Sequence, residues 1–182
     1  MSFDTPNPGV AGTSTYDDAF IYNGSPERYD WTLLGKKEMI VPGNDYVFVF
    51  EKEIGDLLGE KFLKPEFIRY EKQRVWIVEG NLKEGQRHLY SKRRMYIVED
   101  SWTALTGETY DSRGNLWRVS YAYPCNLYDV GGAYSNAYGT YDLLQNIYNL
   151  NGKAIPGEFK MGVGKRGEKY FTPKGMARAG VR

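Results

Sequence analysis

The stretch RHLYSKRRMYIVEDSWTALTGETYDSRGNLWRVSYAY, residues 87–123, decides the fold. It contains three runs rich in aromatic and β-branched residues, at 87–98, 102–110 and 116–123. Turn-forming residues separate the runs: Asp100-Ser101 in the first gap and Asp111-Ser112-Arg113-Gly114 in the second. Because neither gap is long enough for a crossover helix, the stretch predicts three consecutive antiparallel strands.

The same pattern extends in both directions from this stretch. Residues 31–41, 45–50, 67–79 and 138–150 are further runs of strand-forming residues, with Gly, Pro and Asn between them. Turn signals about every ten residues are typical of an antiparallel meander. Residues 54–63 contain two glycines and form at best a short helix, whereas 172–178 predict one with Thr172 as N-cap and Pro173 at the first position. The fold class is therefore mainly β, with one or two short helices.

The first thirty residues differ in composition from the rest of the chain. They carry five acidic residues against Arg28 and are crowded with Gly, Pro, Ser, Thr and Asn. We interpret residues 1–30 as an irregular arm that lies over another part of the protein, and residues 31–182 as the antiparallel β domain. Residues 153–182 carry eight basic residues against two acidic ones, so the two ends have opposite charge. These ends are two solvated tails, or they contact each other or an anionic partner.

The overall composition excludes several kinds of site. The 182 residues carry 24 basic and 23 acidic side chains, and the resulting net charge of +1 does not favour binding to nucleic acid. With one Cys and one His, the chain cannot form an internal disulfide or a Cys/His zinc cluster. We expect no metal and no cofactor. The 16 tyrosines indicate a protein that contacts surfaces or ligands through aromatic rings.

Strand alternation suggests which sheet face is functional. One face of the 116–123 run carries aromatic and apolar side chains, and the 87–98 run carries apolar ones next to charged positions. This apolar face is either core covered by another layer, or a partly open groove for a ligand. The candidate ligand-binding residues are Met95, Ile97, Trp117, Val119 and Tyr121.

Other chemistry-bearing residues have simpler interpretations. The carboxylates of Glu99, Asp100, Glu108 and Asp111 cluster near strand ends, where a pair could act on a glycosidic bond, but turns favour Asp for backbone reasons. His88 is expected to be structural, and Cys125 to be a small buried hydrophobic residue. The pattern GVGKRG at 162–167 matches a dinucleotide-binding fingerprint, but it lacks the preceding strand and following helix that the motif requires.

The central stretch also carries a resemblance to a known family. RHLYSKRRMYIVEDSW at 87–102 and YDSRGNLWRV at 110–119 resemble the bacterial domain-of-unknown-function family thirteen twenty-nine. Shorter similarities are RYDW at 28–31, GKKE at 35–38, VPGNDY at 41–46 and YFTP at 170–173. The similar segments extend from about residue 28 to the C-terminus.

The resemblance implies a fold and a location. Members of this family are exported proteins of Gram-negative bacteria that begin with a signal peptide and are more than twice as long as this chain. They are grouped with outer-membrane lipoprotein-sorting carriers, in which a curved antiparallel sheet forms a half-open barrel around a lipid-binding hollow. The chain is therefore expected to be the C-terminal part of a larger periplasmic protein whose leader lies outside this sequence. The family has no established catalytic residues, so none is assigned.

These observations lead to one main functional hypothesis and two rivals. We expect a non-catalytic periplasmic protein that binds or carries a lipid, a lipoprotein acyl chain or another hydrophobic ligand at the outer membrane, without a membrane span. The first rival is an interaction module that docks a transporter, a subunit or a second copy through its sheet edges. The second rival is a glycan-acting enzyme that uses two of the four carboxylates.

Overall fold

The described part of the chain forms one curled sheet with a cover on each face. The computed structural model describes residues 4–128, 131–156 and 167–179. Within them, seven antiparallel strands pair in the order in which they follow each other along the chain, which confirms the predicted meander. The strands are β1 (Tyr29–Pro42), β2 (Tyr70–Leu82), β3 (Lys92–Val98), β4 (Ala104–Tyr110), β5 (Leu116–Leu127), β6 (Gly132–Asp142) and β7 (Ile147–Asn151).

The helices are short, as predicted. Helix α1 spans Ile54–Leu57 and helix α2 spans Pro173–Ala179. Thr172 caps α2, because its Oγ1 accepts a hydrogen bond of 3.1 Å from the amide of Gly175. The other helical elements in the described residues are single turns: Pro8–Val10, Tyr16–Asp18, Pro26–Arg28, Val47–Glu51, Pro65–Phe67 and Glu168–Phe171.

The strand predicted at 45–50 is wrong. Residues Val47–Glu51 form a helical turn instead. Phe48 and Val49 are both fully buried, although consecutive residues of a strand point to opposite faces. A helical turn buries both side chains on one side, which is what a segment packed across a sheet face requires.

Two other predicted strands have different limits. The run at 87–98 becomes a strand only from Lys92 onward. The run at 138–150 divides into β6 and β7, because Asn146 has a positive φ of 56° and Asp142 accepts hydrogen bonds from the amides of Leu144 and Gln145. The glycine pattern at 162–167 lies outside the described residues up to position 166, as does much of the basic C-terminal tail.

Strand register separates two sheet faces. Residues paired in one row across β2 to β7 belong to the concave face: Ile77, Tyr96, Thr106, Tyr121, Gly139 and Leu150. A row on the opposite, convex face consists of Val78, Met95, Gly107, Ser120, Thr140 and Asn149. The sheet curls so far that β1 contacts β4 and β5, which are not its neighbours. In the described residues the sheet remains open between β1 and β7.

Each face has its own cover. Residues 45–69, here called the plug, connect β1 to β2 across the concave face. Buried apolar side chains of the plug pack against Tyr123, Cys125 and Ala137; they are Phe48, Val49, Leu57, Leu63 and Ile68. Residues 4–28, here called the arm, lie on the convex face. Ile21 of the arm sits directly over Gly107, where an added Cβ would lie 2.6 Å from its Cγ2.

Candidate functional site

The plug leaves part of the concave face open. At the end near β6, Phe48 and Val49 of the plug pack over Tyr123 and Ala137, so this end is filled core. Towards the other end of β2 to β5, the side chains on the concave face are only partly buried. We call this open area the trough, and its floor consists of Ile77, Glu79, Arg94, Glu108, Tyr110, Val119 and Tyr121.

The polar part of the trough floor is a network of paired charges. Glu79 accepts hydrogen bonds from Nε and Nη2 of Arg94 at 3.1 and 2.6 Å. Glu108 accepts from the hydroxyls of Tyr96 and Tyr110 at 3.0 and 2.6 Å. The hydrogen bond to Glu79 raises the pKa of Arg94, and although burial acts to raise the pKa of Glu79, Arg94 keeps it below its usual value. Arg94 therefore pairs with both carboxylates of the floor.

Next to this network the floor is apolar and aromatic. Val119 pairs with Glu108, and Tyr121 pairs with Thr106, so both side chains lie on the concave face beside the polar network. Ile77 occupies the same row on β2. Thr106 is buried, and its Oγ1 has no hydrogen-bond partner among the described residues. The trough thus combines a small apolar surface with hydrogen-bonding groups, which suits an amphiphilic ligand.

The five candidate residues predicted from strand alternation do not share one face, which corrects that grouping. Val119 and Tyr121 lie on the concave face, whereas Met95 pairs with Gly107 on the convex face and Ile97 follows it there. The error arose because alternation within a strand does not determine how its faces align with those of another strand. Ligand binding by Val119 and Tyr121 stays a prediction.

Trp117 lies apart from the trough. It occupies an irregularity in the pairing of β4 with β5, and its Nε1 donates a hydrogen bond of 3.0 Å to Asp142 on the convex side. Its ring packs edge-on against Tyr90 and lies next to the guanidinium of Arg118. Trp117 therefore belongs to the packing under the arm.

Sequence reasoning missed a buried charge cluster that fastens the arm. Arg93, with 1% of its surface exposed, donates to Asp18 at 2.7 Å and to Asp17 at 2.8 Å. Arg118 donates to Asp142 at 2.9 Å and to the carbonyl of Gly12 in the arm at 2.7 Å. The only available signal was the acidic character of the arm opposite a basic strand. Arg94 pairs with carboxylates on neighbouring strands, whereas its sequence neighbour Arg93 pairs with the arm.

Hydrogen bonds also hold the side chains of His88 and Tyr90 in place under the arm. The side chain of His88 is fully buried, and its Nε2 lies 3.1 Å from Oδ2 of Asp17. Burial acts to raise the pKa of Asp17, but the hydrogen bond with His88 and the charge of Arg93 outweigh it, so this pKa lies below its usual value. The hydroxyl of Tyr90 donates to Asp18 at 2.8 Å and accepts from Arg118 at 2.6 Å. His88 is packed in a structural role, as predicted.

The four candidate carboxylates do not converge. Glu99 follows the last residue of β3 and pairs with Lys36 and Arg74. Asp111 lies in the turn after β4, where its carboxylate accepts from the backbone and side chain of Asn115. Because β3 has seven residues, these two ends of the sheet are roughly 20 Å apart. Asp100 lies in the β3–β4 turn, and Glu108 lies in the trough.

The remaining features are Cys125, possible metal-binding groups and possible membrane-spanning helices. Cys125 is buried in the core cluster as expected, and burial raises the pKa of its thiol to about 11. Across residues 4–128, 131–156 and 167–179, no three His, Cys, Asp or Glu side chains are grouped so as to hold a metal ion. In the same ranges, no helix combines the length and apolar character needed to cross a membrane.

Comparison with known proteins identifies the family. Residues 1–177 match the model of the family described as protein of unknown function, DUF1329. The chain belongs to this family. An uncharacterised protein of Pseudomonas aeruginosa is 37% identical over 186 aligned residues, which cover all of this chain and 40% of the relative. This DUF1329 chain therefore spans less than half of that relative and corresponds to its C-terminal part.

One solved structure supports the fold of this DUF1329 chain. The crystal structure of a domain described as outer membrane lipoprotein-sorting, from Vibrio parahaemolyticus, is similar with a TM-score of 0.51 and 16% identity. The similarity covers 96% of this chain and 58% of that one. A DUF1329 protein from Desulfovibrio piger is similar with a TM-score of 0.46 and 15% identity, over 89% of this chain and 52% of that one. The curved antiparallel sheet predicted from the sequence is confirmed.

Proposed function

We propose that the trough binds the hydrophobic part of a lipid, a lipoprotein acyl chain or a similar amphiphile, and that the protein is a non-catalytic binding or carrier protein of the periplasm. The observation that carries this proposal is the partly exposed apolar floor of a curled, open sheet, formed by Ile77, Val119 and Tyr121. The similarity in fold to a lipoprotein-sorting domain supports it.

The physical driving force is burial of apolar surface. Each methylene that moves from water into the trough contributes about 0.8 kcal/mol, so an acyl chain needs no catalytic group to bind there. The charged side chains of Arg94, Glu79 and Glu108 offer hydrogen bonds to the polar end of a ligand. A carrier must also release its ligand, and a trough that is open along one side permits this.

The proposal is tested by looking for lipid directly. Native mass spectrometry of the full-length protein purified from its bacterial host is expected to detect bound lipid, and a fluorescent fatty acid is expected to bind in competition with it. Val119→Glu places a charge on the apolar floor and is expected to weaken binding at least about tenfold. Ile40→Glu is the matched control, because Ile40 is 64% exposed on the convex face. Absence of both lipid and probe binding would refute the proposal.

A second candidate function rests on the free edge of β1. This strand has fourteen residues, and among the described residues it pairs only on its β2 side. A long unpaired edge can add a strand from a partner chain, so docking of an envelope protein or a second copy is the alternative. Light scattering distinguishes the two, because a monomer with bound lipid supports the carrier and a stable oligomer without lipid supports docking.

A further inference from the structure

Asp45 ties the two ends of the plug together. It is the first plug residue, and its amide donates a hydrogen bond of 2.6 Å to the carbonyl of Pro124 on β5. Its Oδ1 accepts a hydrogen bond of 2.6 Å from the amide of Arg69, the last plug residue. The amide of Gly43 donates to the carbonyl of Arg69 at 2.9 Å. One carboxyl group therefore closes the loop that covers the filled end of the concave face.

The carboxyl group of Asp45 lies in an unfavourable place for a negative charge. The residue is 2% exposed, and Oδ2 has no hydrogen-bond partner among the described residues. Burial raises its pKa to about 7, against the hydrogen bond from the amide of Arg69. The carboxylate of Glu71 raises this pKa further and the guanidinium of Arg69 lowers it. The other titratable groups that face Asp45 are Tyr70, Tyr123 and Cys125, whose pKa values burial raises above their usual range.

Side-chain contacts hold the plug against the sheet, because the plug itself contains little regular secondary structure. Its helical segments within the described residues are the turn Val47–Glu51, the four-residue α1 and the turn Pro65–Phe67. Two cross-connections come from β6 and β7: Tyr141 accepts from the amide of Leu63 at 3.3 Å, and Tyr148 donates to the carbonyl of Gly59 at 2.6 Å. Segments with few backbone hydrogen bonds open at lower free energy than sheet strands.

We propose that Asp45 is a pH-sensitive clasp that controls how firmly the plug closes the concave face: the protonated carboxyl keeps the plug closed and the ionised carboxylate loosens it. This inference concerns regulation of the trough and rests on the proposed function for its biological meaning. A loosened plug uncovers Tyr123 and Ala137, which extend the apolar floor beyond Tyr121.

The direction follows from proton linkage. When the plug opens, Asp45 enters water and its pKa returns to about 3.8. The closed form therefore holds the proton more tightly, and its stability falls as the pH rises from about 4 to about 7. Above pH 7 both forms are ionised and the dependence levels off. Acid closes the plug, and neutral to alkaline pH loosens it.

Hydrogen exchange measured by mass spectrometry between pH 5 and pH 8 tests the clasp without any ligand. After correction for intrinsic exchange rates, protection of peptides covering residues 43–52 and 66–70 is expected to fall by roughly tenfold to 100-fold relative to β3 and β4. Asp45→Asn keeps the shape and the acceptor for Arg69 but cannot ionise, so its plug protection is expected to be independent of pH. An equal pH dependence in the wild type and Asp45→Asn would overturn the inference.

A second variant covers the case in which Asp45→Asn does not fold. Glu71→Gln removes a negative charge that raises the pKa of Asp45, so the pH at which plug protection levels off is expected to move lower, and the total loss of protection is expected to become smaller. An unchanged pH dependence would contradict the clasp.

Binding of the uncharged probe N-phenyl-1-naphthylamine to the same samples separates this inference from the proposed function. More binding at pH 8 than at pH 5 in the wild type, and not in Asp45→Asn, supports both. If protection depends on pH but the probe does not bind at either pH, the proposed function fails and the clasp stands. If the probe binds equally at both pH values and protection is constant, the clasp fails and the proposed function stands.

Discussion

The two covers of the sheet are fastened by opposite kinds of chemistry. The arm is held on the convex face by buried ion pairs that join Arg93 to Asp17 and Asp18. The plug is held on the concave face by apolar packing, with Phe48, Leu57 and other side chains excluded from water. A single sheet thus has one cover whose position is specified by directional bonds and one that is held by a non-directional force.

The difference indicates which cover is suited to move. Opening the arm breaks two buried ion pairs at once, and an apolar ligand cannot replace these directional contacts. Opening the plug exposes apolar surface, and an apolar ligand in the same place compensates for that loss. The cover on the concave face is therefore the one whose contacts an apolar ligand could replace.

The largest expected effect comes from breaking the buried charge cluster. Arg93→Met leaves Asp17 and Asp18 buried without their cation and is expected to lower the free energy of unfolding by about 3–5 kcal/mol, measured by urea denaturation. Arg94→Met is the matched control, because Arg94 is its sequence neighbour on the concave side and 29% exposed. Its expected cost is about 1 kcal/mol or less. Equal costs would mean that the arm is not fastened by charge.

The next effect tests the apolar fastening of the plug. Leu57→Ala removes a fully buried side chain and is expected to cost about 3 kcal/mol in the free energy of unfolding. Phe62→Ala serves as control within the same segment, because Phe62 is 58% exposed, and it is expected to change stability by about 0.5 kcal/mol or less. In Leu57→Ala, hydrogen exchange is expected to rise in the plug and stay constant in the arm. Faster exchange in both covers would show that they are coupled.

A smaller effect concerns the close contact between Ile21 of the arm and Gly107 of β4. Gly107→Ala places a methyl group 2.6 Å from Cγ2 of Ile21 and is expected to cost about 1–2 kcal/mol. Gly132→Ala is the control, because an added Cβ there meets nothing within 4 Å. In the background of Ile21→Ala the cost of Gly107→Ala is expected to disappear in a double-mutant cycle. An undiminished cost would place the clash elsewhere.

The smallest expected effect concerns the hydrogen-exchange protection of the arm. It is expected to fall in acid, whereas protection of the plug is expected to fall as the pH rises. The pKa of Asp17 lies below its usual 3.8, so its contribution is complete above pH 3.8 and is lost as the pH falls through the lower value in the folded protein. Hydrogen exchange of residues 13–23 is therefore expected to rise only below about pH 3.8, and this rise is expected to be reduced in Asp17→Asn. Loss of arm protection already at pH 5 would contradict the assignment.

Local sequence was sufficient for the strands and the capped helix, and insufficient for contacts between distant segments. The meander follows from turn residues such as Asp111 and Gly114, and α2 follows from Thr172 and Pro173, because these signals act over a few residues. Arg93 pairs with Asp17, which lies 76 positions away in the sequence, and no local pattern specifies such a pairing. Residues 45–50 of the plug were misassigned because this apolar run has the composition of a strand but packs as a helical turn.

The assignment of residues to faces failed for a related reason. Met95 and Tyr121 each belong to an alternating apolar series, but Met95 lines up with Gly107 and Tyr121 with Thr106. Bulges such as the one at Trp117 change the alignment further, and they depend on how the strands meet in three dimensions. The sequence therefore predicted an apolar face that is either core or groove, and of the five candidate residues Val119 and Tyr121 lie on the concave face, where ligand binding stays a prediction.

The sequential strand order has a consequence for how the molecule assembles. Every pairing in the sheet joins neighbours along the chain, so hairpins from β2 to β7 can form one after another without closing a long loop. The connection between β1 and β2 differs, because it contains the whole plug and must close over 27 residues. We expect β1, and with it the arm, to join last, so that the plug is enclosed in the final step of folding.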